Sequence, residues 1–166
     1  WLISRNSIVA FWAAMAFATL DERARAWALL ELINPVNHAR DAAGVATYKV
    51  EPYVMAADVY GVAPHVGRGG WSWYTGSAGW MYRLIVESLL GLRLAATPEG
   101  GARLQLRPCL PPQWPGFTLD YRYRATRYRL EIVQGRTQDG AAGVSVDGVA
   151  QDDLAVDLVD DQRAHA

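Results

Sequence analysis

The segment GRGGWSWYTGSAGW, residues 67–80, contains the features that decide how the middle of this chain folds. Its first half is rich in glycine and tryptophan, and the glycines are typical of a loop. Its second half places a hydroxyl and then a glycine, at Thr75 and Gly76, where a helix is expected to begin. The pattern predicts a helix from about Gly76 to Leu90, and Gly91 is a natural residue to end it.

The start of this predicted helix has the chemistry of an anion site. The N–H groups of a first helical turn have no acceptor within the helix, so those of Gly76, Ser77 and Ala78 are expected to point at an anion. Thr75 adds an O–H donor, and the absence of a side chain at Gly76 lets the backbone approach a ligand closely. The alternative is that Thr75 is a plain N-cap and that the glycines are plain turn residues.

Residues 7–33 predict two helices that meet at a short corner. The first has an apolar face at helical spacing, formed by Ile8, Phe11, Trp12, Met15 and Thr19. Asp21 is expected to cap the second helix, which stops at Asn34-Pro35 because the residue before a proline disfavours helical backbone. The apolar run here is about 13 residues long, too short for the ~20 that a membrane-spanning helix needs.

One more helix is expected between this pair and the glycine-rich loop. Residues 37–49 are loop-like, and Pro52 then favours the first turn of a helix that runs to about Tyr60. Glu51 is placed to cap that helix, and residues 61–70 form a second loop. The inward stripe of the helix after this loop is predicted to be Ala78, Tyr82, Ile85, Val86 and Leu89.

After Gly91 the pattern changes to alternation of apolar and polar residues, which is typical of strands buried on one face. Alternating runs occupy residues 92–94, 103–107, 119–123, 128–132 and 144–146. Asp147-Gly148 is a hairpin turn signal, and residues 160–166 are expected to be a frayed tail or a truncated end. The order of elements predicts an α+β fold, with a helical part over residues 1–91 and a small antiparallel β domain over residues 92–166.

The composition excludes some classes of function. The 16 Lys and Arg residues against 17 Asp and Glu leave a net charge of -1, so the basic excess of a nucleic-acid-binding protein is missing. Cys109 is expected only to pack in the core. The 7 Trp and 8 Tyr against 3 Phe favour rings with a hydrogen-bonding edge, as a sugar site needs. Because the chain opens at Trp1, it is expected to be a piece of a longer protein.

Three motifs resemble those of glycoside hydrolase family 94, which contains the cellobiose, cellodextrin and chitobiose phosphorylases. WYTGSAGW at residues 73–80 is similar to the family signature W-x-T-G-[S/T]-A-x-W, and EPYV at residues 51–54 to the E-P-Y that precedes it. RPCLPPQWPGF at residues 107–117 is similar to the family's P-C-[I/L]-P-x-x-W-x-G-F. LINPVNHAR at residues 32–40 and GRGGW at residues 67–71 look more specifically like the phosphorylase modules of cyclic β-1,2-glucan synthases.

The resemblance implies the last helices of an (α/α)6 barrel followed by a C-terminal β domain. It also implies inverting phosphorolysis of a β-linked glucan, in which inorganic phosphate attacks the anomeric carbon while an aspartic acid protonates the leaving oxygen. The phosphate-binding Thr-Gly pair of the family corresponds to Thr75 and Gly76. Arg68, Trp71 and Trp73 are further candidates for the substrate pocket. No cofactor or metal ion is implied, since phosphate is a co-substrate.

The chain departs from the family in ways that limit what it is expected to do alone. The general-acid aspartate of the family lies upstream of every motif quoted above, so no catalytic residue is assigned and the chain alone is expected to be inactive. Asp41 and Asp58, the carboxylates nearest to the signature, are interpreted as a loop residue and a helix-surface residue. A family histidine that contacts phosphate is expected near Ile8, where none stands, while Glu51 and Tyr53 are interpreted as structural.

The expected partners are a β-glucan oligosaccharide, phosphate and upstream domains of the same polypeptide, with a homodimer left open. As part of a synthase the protein would lie at the cytoplasmic face of the bacterial inner membrane, and otherwise in the cytoplasm. Two other hypotheses stay open: an inverting hydrolase, and a carbohydrate-binding or structural β module, favoured by Tyr121, Tyr123 and Tyr128 if they are exposed as expected. The hydrolase ranks last because the Thr-Gly helix start supplies no base to activate water.

Overall fold

The computed structural model describes residues 4–134 and 143–166, and its helices followed by antiparallel sheets confirm the predicted α+β class. The chain divides into two compact units, a helical unit (Trp1–Leu89) and a β unit (Leu90–Ala166). Trp1, on which the expectation of a longer protein depends, lies outside the described residues. In the described part of the chain, no helix combines the length and the apolar character needed to cross a lipid bilayer.

The helical unit carries a short antiparallel pair of strands beside its helices. Its elements are β1 (Ser4–Asn6), α1 (Ser7–Thr19), α2 (Arg23–Ile33), α3 (Pro35–His38), α4 (Ala42–Tyr48), β2 (Asp58–Tyr60) and α5 (Thr75–Arg83). A π-helical turn over Leu84–Leu89 continues α5. Both helices predicted over residues 7–33 and the helix predicted from about Gly76 are therefore confirmed.

One apolar core holds α1, α2 and the end of α5 together. Its buried side chains are Phe11, Ala14, Ala26, Leu30, Ile33, Met55, Leu84 and Leu89. The small residues Ala14 and Ala26 allow close approach of the helices that carry them, and Phe11 is fully buried. Ser7, at the start of α1, donates its hydroxyl hydrogen to the carbonyl oxygen of Ala56 at 2.8 Å. This packing positions α5, whose first turn carries the predicted anion site.

The capping residues of α2 and α4 differ from the prediction. Ala42–Tyr48, predicted as part of a loop, is a helix because Asp41 caps it: Asp41 Oδ1 accepts a hydrogen bond from the Gly44 N–H at 2.7 Å. Asp21 does not cap α2, since its carboxylate pairs with Arg23 at 2.8 Å and its backbone is left-handed (φ 57°). The predicted loop and the predicted cap are both wrong.

The segment Pro52–Tyr60, predicted as a helix, is instead a turn followed by strand β2. Its backbone is used by neighbours that are distant in the sequence. The Ala57 carbonyl oxygen accepts a hydrogen bond from the Ser7 N–H at 2.9 Å, and the Ala57 N–H donates to the Trp71 carbonyl oxygen at 2.7 Å. These partners are available only in the folded chain, so local helix signals at Pro52 and Glu51 could not reveal them.

The buried face of α5 also differs from the predicted stripe. Ala78 and Tyr82 are exposed, while Ser77 and Leu84 are fully buried. Ser77 and Leu84 are seven residues apart, two helical turns, so the buried row is displaced by one residue, or about 100° around the helix axis. The hydrophobic pattern predicted the wrong face because serine is not apolar and does not indicate burial, whereas the aromatic ring of Tyr82 does. Leu89, the last member of the stripe, is buried as predicted.

The β unit consists, in its described residues, of two three-stranded sheets and a hairpin. One sheet has the order β3-β4-β9 and the other β10-β6-β5, in which only the β10–β6 pair is parallel. The strands are β3 (Leu92–Ala96), β4 (Ala102–Leu106), β5 (Gly116–Tyr123), β6 (Thr126–Val133), β7 (Ser145–Val146), β8 (Val149–Ala150), β9 (Ala155–Leu158) and β10 (Ala164–His165). Each predicted alternating run overlaps a strand, and Asp147-Gly148 turns the β7–β8 hairpin as predicted.

The C-terminal residues 160–166 are an ordered clasp, contrary to the prediction of a frayed tail. His165 in β10 lies between two carboxylates, with Nδ1 2.6 Å from Asp147 Oδ2 and Nε2 3.2 Å from Asp161 Oδ1. Its ring stacks on Tyr128 at a centroid distance of 5.0 Å. Tyr128 is only 2% exposed, so it does not supply the exposed ring that the carbohydrate-binding hypothesis needs.

The clasp predicts a pH-dependent stability. Hydrogen bonding to Asp147 and Asp161 raises the pKa of His165 above its ordinary 6.5. The clasp therefore contributes fully below about pH 6.5 and weakens as the pH rises through the raised pKa. His165 lowers the pKa of Asp147, and the Arg163 N–H together with His165 lowers that of Asp161, both below 3.8. Their contribution is present above pH 3.8 and is lost as the pH falls through the lowered values.

We expect the Tm of the chain to be highest between about pH 3.8 and about pH 6.5 and to fall from pH 6 to pH 9. The measurement is a series of thermal melts across this range. His165→Phe keeps a ring against Tyr128 without a charge, so its Tm should no longer fall over the same interval. His65→Phe, in an exposed loop, is the control and should follow the wild type. An unchanged decline in His165→Phe would show that the clasp is not responsible.

Candidate functional site

The predicted anion site lies at the first turn of α5, which begins at Thr75. Tyr74 occupies the N-cap position with extended backbone, and its side chain forms no cap hydrogen bond. The Ala78 N–H donates to the Tyr74 carbonyl oxygen at 3.2 Å, so Ala78 does not supply the free donor that the sequence predicts. The N–H groups of Thr75, Gly76 and Ser77 have no acceptor among the described residues. Thr75 is thus the first helical residue and not an N-cap.

The helix start is open to a ligand. Thr75 and Gly76 are exposed, and a Cβ atom added at Gly76 would meet no atom within 4 Å. Three N–H groups at the positive end of the helix dipole attract an anion to such a space. The side chain of Ser77, by contrast, is fully buried, and its Oγ has no hydrogen-bond partner in the described part of the chain.

The loop that leads to α5 is anchored by β2. The Tyr60 N–H donates to the Arg68 carbonyl oxygen at 2.8 Å, and the Gly70 N–H donates to the Asp58 carbonyl oxygen at 2.9 Å. Gly69 is buried, and a Cβ atom there would collide with the side chain of Val50, which explains the need for glycine. The strand that replaces the predicted helix therefore fixes the glycine-rich loop, and with it the approach to Thr75.

Glu51 and Trp73 form a contact that sequence reasoning missed. Trp73 has left-handed backbone (φ 60°), and its Nε1–H donates to Glu51 Oε1 at 3.2 Å. A hydrogen bond with its own backbone N–H, followed by those from Trp73 and Ser72, lowers the pKa of Glu51 below its usual range. The two residues are 22 positions apart, so no local pattern could indicate the pair.

The candidate pocket residues are exposed at the surface of the helical unit. Trp71 is 75% exposed and Trp73 69%. The Trp71 ring meets Tyr74 edge to face at 6.3 Å. Arg68 is exposed, and its guanidinium forms no hydrogen bond or ion pair with a described residue, so the structure does not join it to the other candidates. Trp80 packs against the apolar core and meets Trp12 edge to face.

Asp41 and His38 of this unit have structural partners. Asp41 caps α4, and Asp58 lies in strand β2, not on a helix as predicted. His38 Nε2 lies 2.8 Å from the Leu32 carbonyl oxygen, and the His38 ring stacks on Tyr48.

Family comparison matches both units of the chain. Residues 6–91 match the model "Glycosyl hydrolase 94 superfamily, catalytic domain", and residues 100–138 match "Glycosyl hydrolase family 65, C-terminal domain". The first match includes Thr75 and Gly76, and the second includes strands β4 to β6. The two matches fit the predicted order of final barrel helices followed by a β domain.

Curated relatives include a synthase and several phosphorylases. The chain is 43% identical over 82% of its length to cyclic beta-(1,2)-glucan synthase NdvB of Rhizobium meliloti, of which it spans 5%. It is 33% identical over 59% of its length to solabiose phosphorylase of Paenibacillus borealis, spanning 12% of that protein. It is 30% identical over 85% of its length to N,N'-diacetylchitobiose phosphorylase of Vibrio furnissii, spanning 17% of it. The chain thus covers a small part of each of these relatives.

Proposed function

Since the chain belongs to the glycosyl hydrolase 94 superfamily, we propose that it is the C-terminal part of an inverting carbohydrate phosphorylase module in a longer protein. The single observation that carries this proposal is the open first turn of α5, where the N–H groups of Thr75, Gly76 and Ser77 have no acceptor among the described residues. A doubly charged phosphate needs several fixed donors that face solvent space, and this turn provides them.

The proposed reaction assigns phosphate a nucleophilic role. A lone pair on a phosphate oxygen forms a bond to the anomeric carbon while the bond from that carbon to the glycosidic oxygen breaks. The leaving oxygen takes a proton from a carboxylic acid on the opposite side of the sugar. In this chain Thr75 and Gly76 hold and orient the phosphate, and the acid is supplied by a part of the protein that precedes these residues.

Trp71 and Trp73 are proposed to contact the sugar. Both rings are largely exposed on the loop that enters α5, and an aromatic face covers the C–H face of a pyranose while leaving its hydroxyl groups free. Arg68, on the same loop, is proposed to add positive charge near the phosphate.

The substrate proposed for the whole protein is a β-linked glucan, within a cyclic β-1,2-glucan synthase. Support comes from the 43% identity to a protein with that printed name. In that setting the module would lie at the cytoplasmic face of the bacterial inner membrane, attached to upstream domains of the same polypeptide.

The test compares the full-length protein with the 166-residue chain. Each is given β-1,2-glucan with phosphate or with sulfate, and released glucose 1-phosphate is measured. We expect release by the full-length protein with phosphate only, and none by the chain alone, because the acid is missing. Release by the chain alone would refute the assignment of the acid to upstream residues. Release of free sugar regardless of phosphate would indicate a hydrolase instead.

A further inference from the structure

We infer that Glu51 is a positioning residue for the phosphate site, acting through the indole of Trp73 on the loop that presents Thr75 and Gly76. This inference rests on the proposed function, because it concerns the same site. Glu51 itself is not expected to touch phosphate, since a carboxylate repels an anion. Glu51 is proposed to act through its contact with Trp73, which lies two residues before the first helical position.

The backbone of Trp73 requires support from outside the loop. Its φ of 60° lies in the left-handed region, which costs a non-glycine residue about 1–2 kcal/mol and persists only where the surroundings impose it. Burial does not impose it, because the side chain is 69% exposed. Within the described residues, the ring is restrained by the hydrogen bond from Nε1 to Glu51 Oε1 at 3.2 Å.

Glu51 is in turn held by the core. Its carbonyl oxygen accepts a hydrogen bond from the Val54 N–H at 3.0 Å, which closes a tight turn. After Pro52 and the exposed Tyr53, the turn leads into Val54, Met55 and Ala56, all three of which are buried. Glu51 is therefore anchored next to the packed part of the helical unit. Its carboxylate restrains Trp73, whose side chain is otherwise exposed to solvent.

The negative charge of Glu51 and its hydrogen bond to Trp73 predict opposite effects on phosphate binding. Variants of Glu51 can therefore distinguish the two contributions. Glu51→Gln keeps an oxygen that accepts the indole N–H but removes a negative charge near the anion site, so phosphate binding should be unchanged or slightly tighter. Glu51→Ala removes the acceptor, and Trp73→Phe removes the donor while keeping a ring. Both should loosen the helix entry and weaken phosphate binding.

The experiment measures KM for phosphate and kcat in the full-length protein. We expect Glu51→Ala and Trp73→Phe each to raise the KM for phosphate roughly five- to tenfold, the loss of about one hydrogen bond. The double variant should be no worse than either single one, because both remove the same contact. Glu51→Gln should stay within about twofold of the wild type. Glu31→Ala, an exposed glutamate on α2, is the matched control.

The possible outcomes are distinguishable. A purely structural role would lower Tm and kcat in Glu51→Ala, through loss of folded protein, and leave the KM for phosphate unchanged. That result, or additive effects in the double variant, would overturn the positioning role alone. Absence of phosphate-dependent turnover in the wild-type protein would refute the proposed function and, with it, this inference.

Discussion

Replacing Gly91 by alanine is expected to lower the free energy of unfolding of the β unit by about 4 kcal/mol. Gly91 has a φ of 75°, which alone costs an L-residue about 1–2 kcal/mol. A Cβ atom there would also overlap the carbonyl group of Arg107 and the nitrogen of Pro108. These are backbone atoms, and Arg107 is held by its N–H, which donates to the Gly91 carbonyl oxygen at 2.8 Å. The collision therefore cannot be relieved by rotating a side chain.

Gly100→Ala is the matched control for this substitution. Gly100 has a similar φ of 82°, but a Cβ atom there would meet nothing within 4 Å. It should cost only the backbone term, about 1–2 kcal/mol. Urea denaturation followed by the amide NMR signals of β3 and β4 measures both variants. Equal losses at the two positions would show that the overlap with Arg107 is relieved, and would contradict the prediction.

Replacing Thr75 by valine is expected to raise the KM for phosphate of the full-length protein by about 10- to 100-fold. The change keeps the branched shape and removes one O–H donor, and a hydrogen bond to a charged group contributes about 1.5–3 kcal/mol. Folding should be little affected, because Thr75 is exposed and caps nothing. Phosphorolysis rates at varied phosphate, together with thermal melts of each variant, measure both quantities.

Two further variants make the Thr75 result specific. Thr75→Ser restores the hydroxyl and should return the KM for phosphate to within about threefold of the wild type. Thr19→Val removes a hydroxyl at the end of α1 that donates to the Met15 carbonyl oxygen and has no proposed role in the reaction. It should leave the KM for phosphate unchanged. Wild-type behaviour of Thr75→Val would indicate that this hydroxyl does not bind phosphate.

Features that depend on neighbours along the chain were predictable from the letters alone. The alternation of residues 119–123 and 128–132 led to β5 and β6, since a half-buried strand repeats every two residues. The hairpin at Asp147-Gly148 followed from backbone preferences of two adjacent residues. The helix predicted from about Gly76 begins at Thr75, one residue earlier, because its entry signals are local.

Features that depend on partners distant in sequence appeared only in the folded molecule. Strand β2 replaces a predicted helix because the backbone around Ala57 bonds to Ser7 and Trp71. Strand β10 replaces a predicted frayed end because it pairs with β6 and because His165 forms hydrogen bonds with two carboxylates. The contact between Glu51 and Trp73 has the same origin. For β2 and β10 the local preference is worth about 1 kcal/mol or less per residue, so several hydrogen bonds formed together on folding, each contributing about 0.5–1.5 kcal/mol or more, outweigh it.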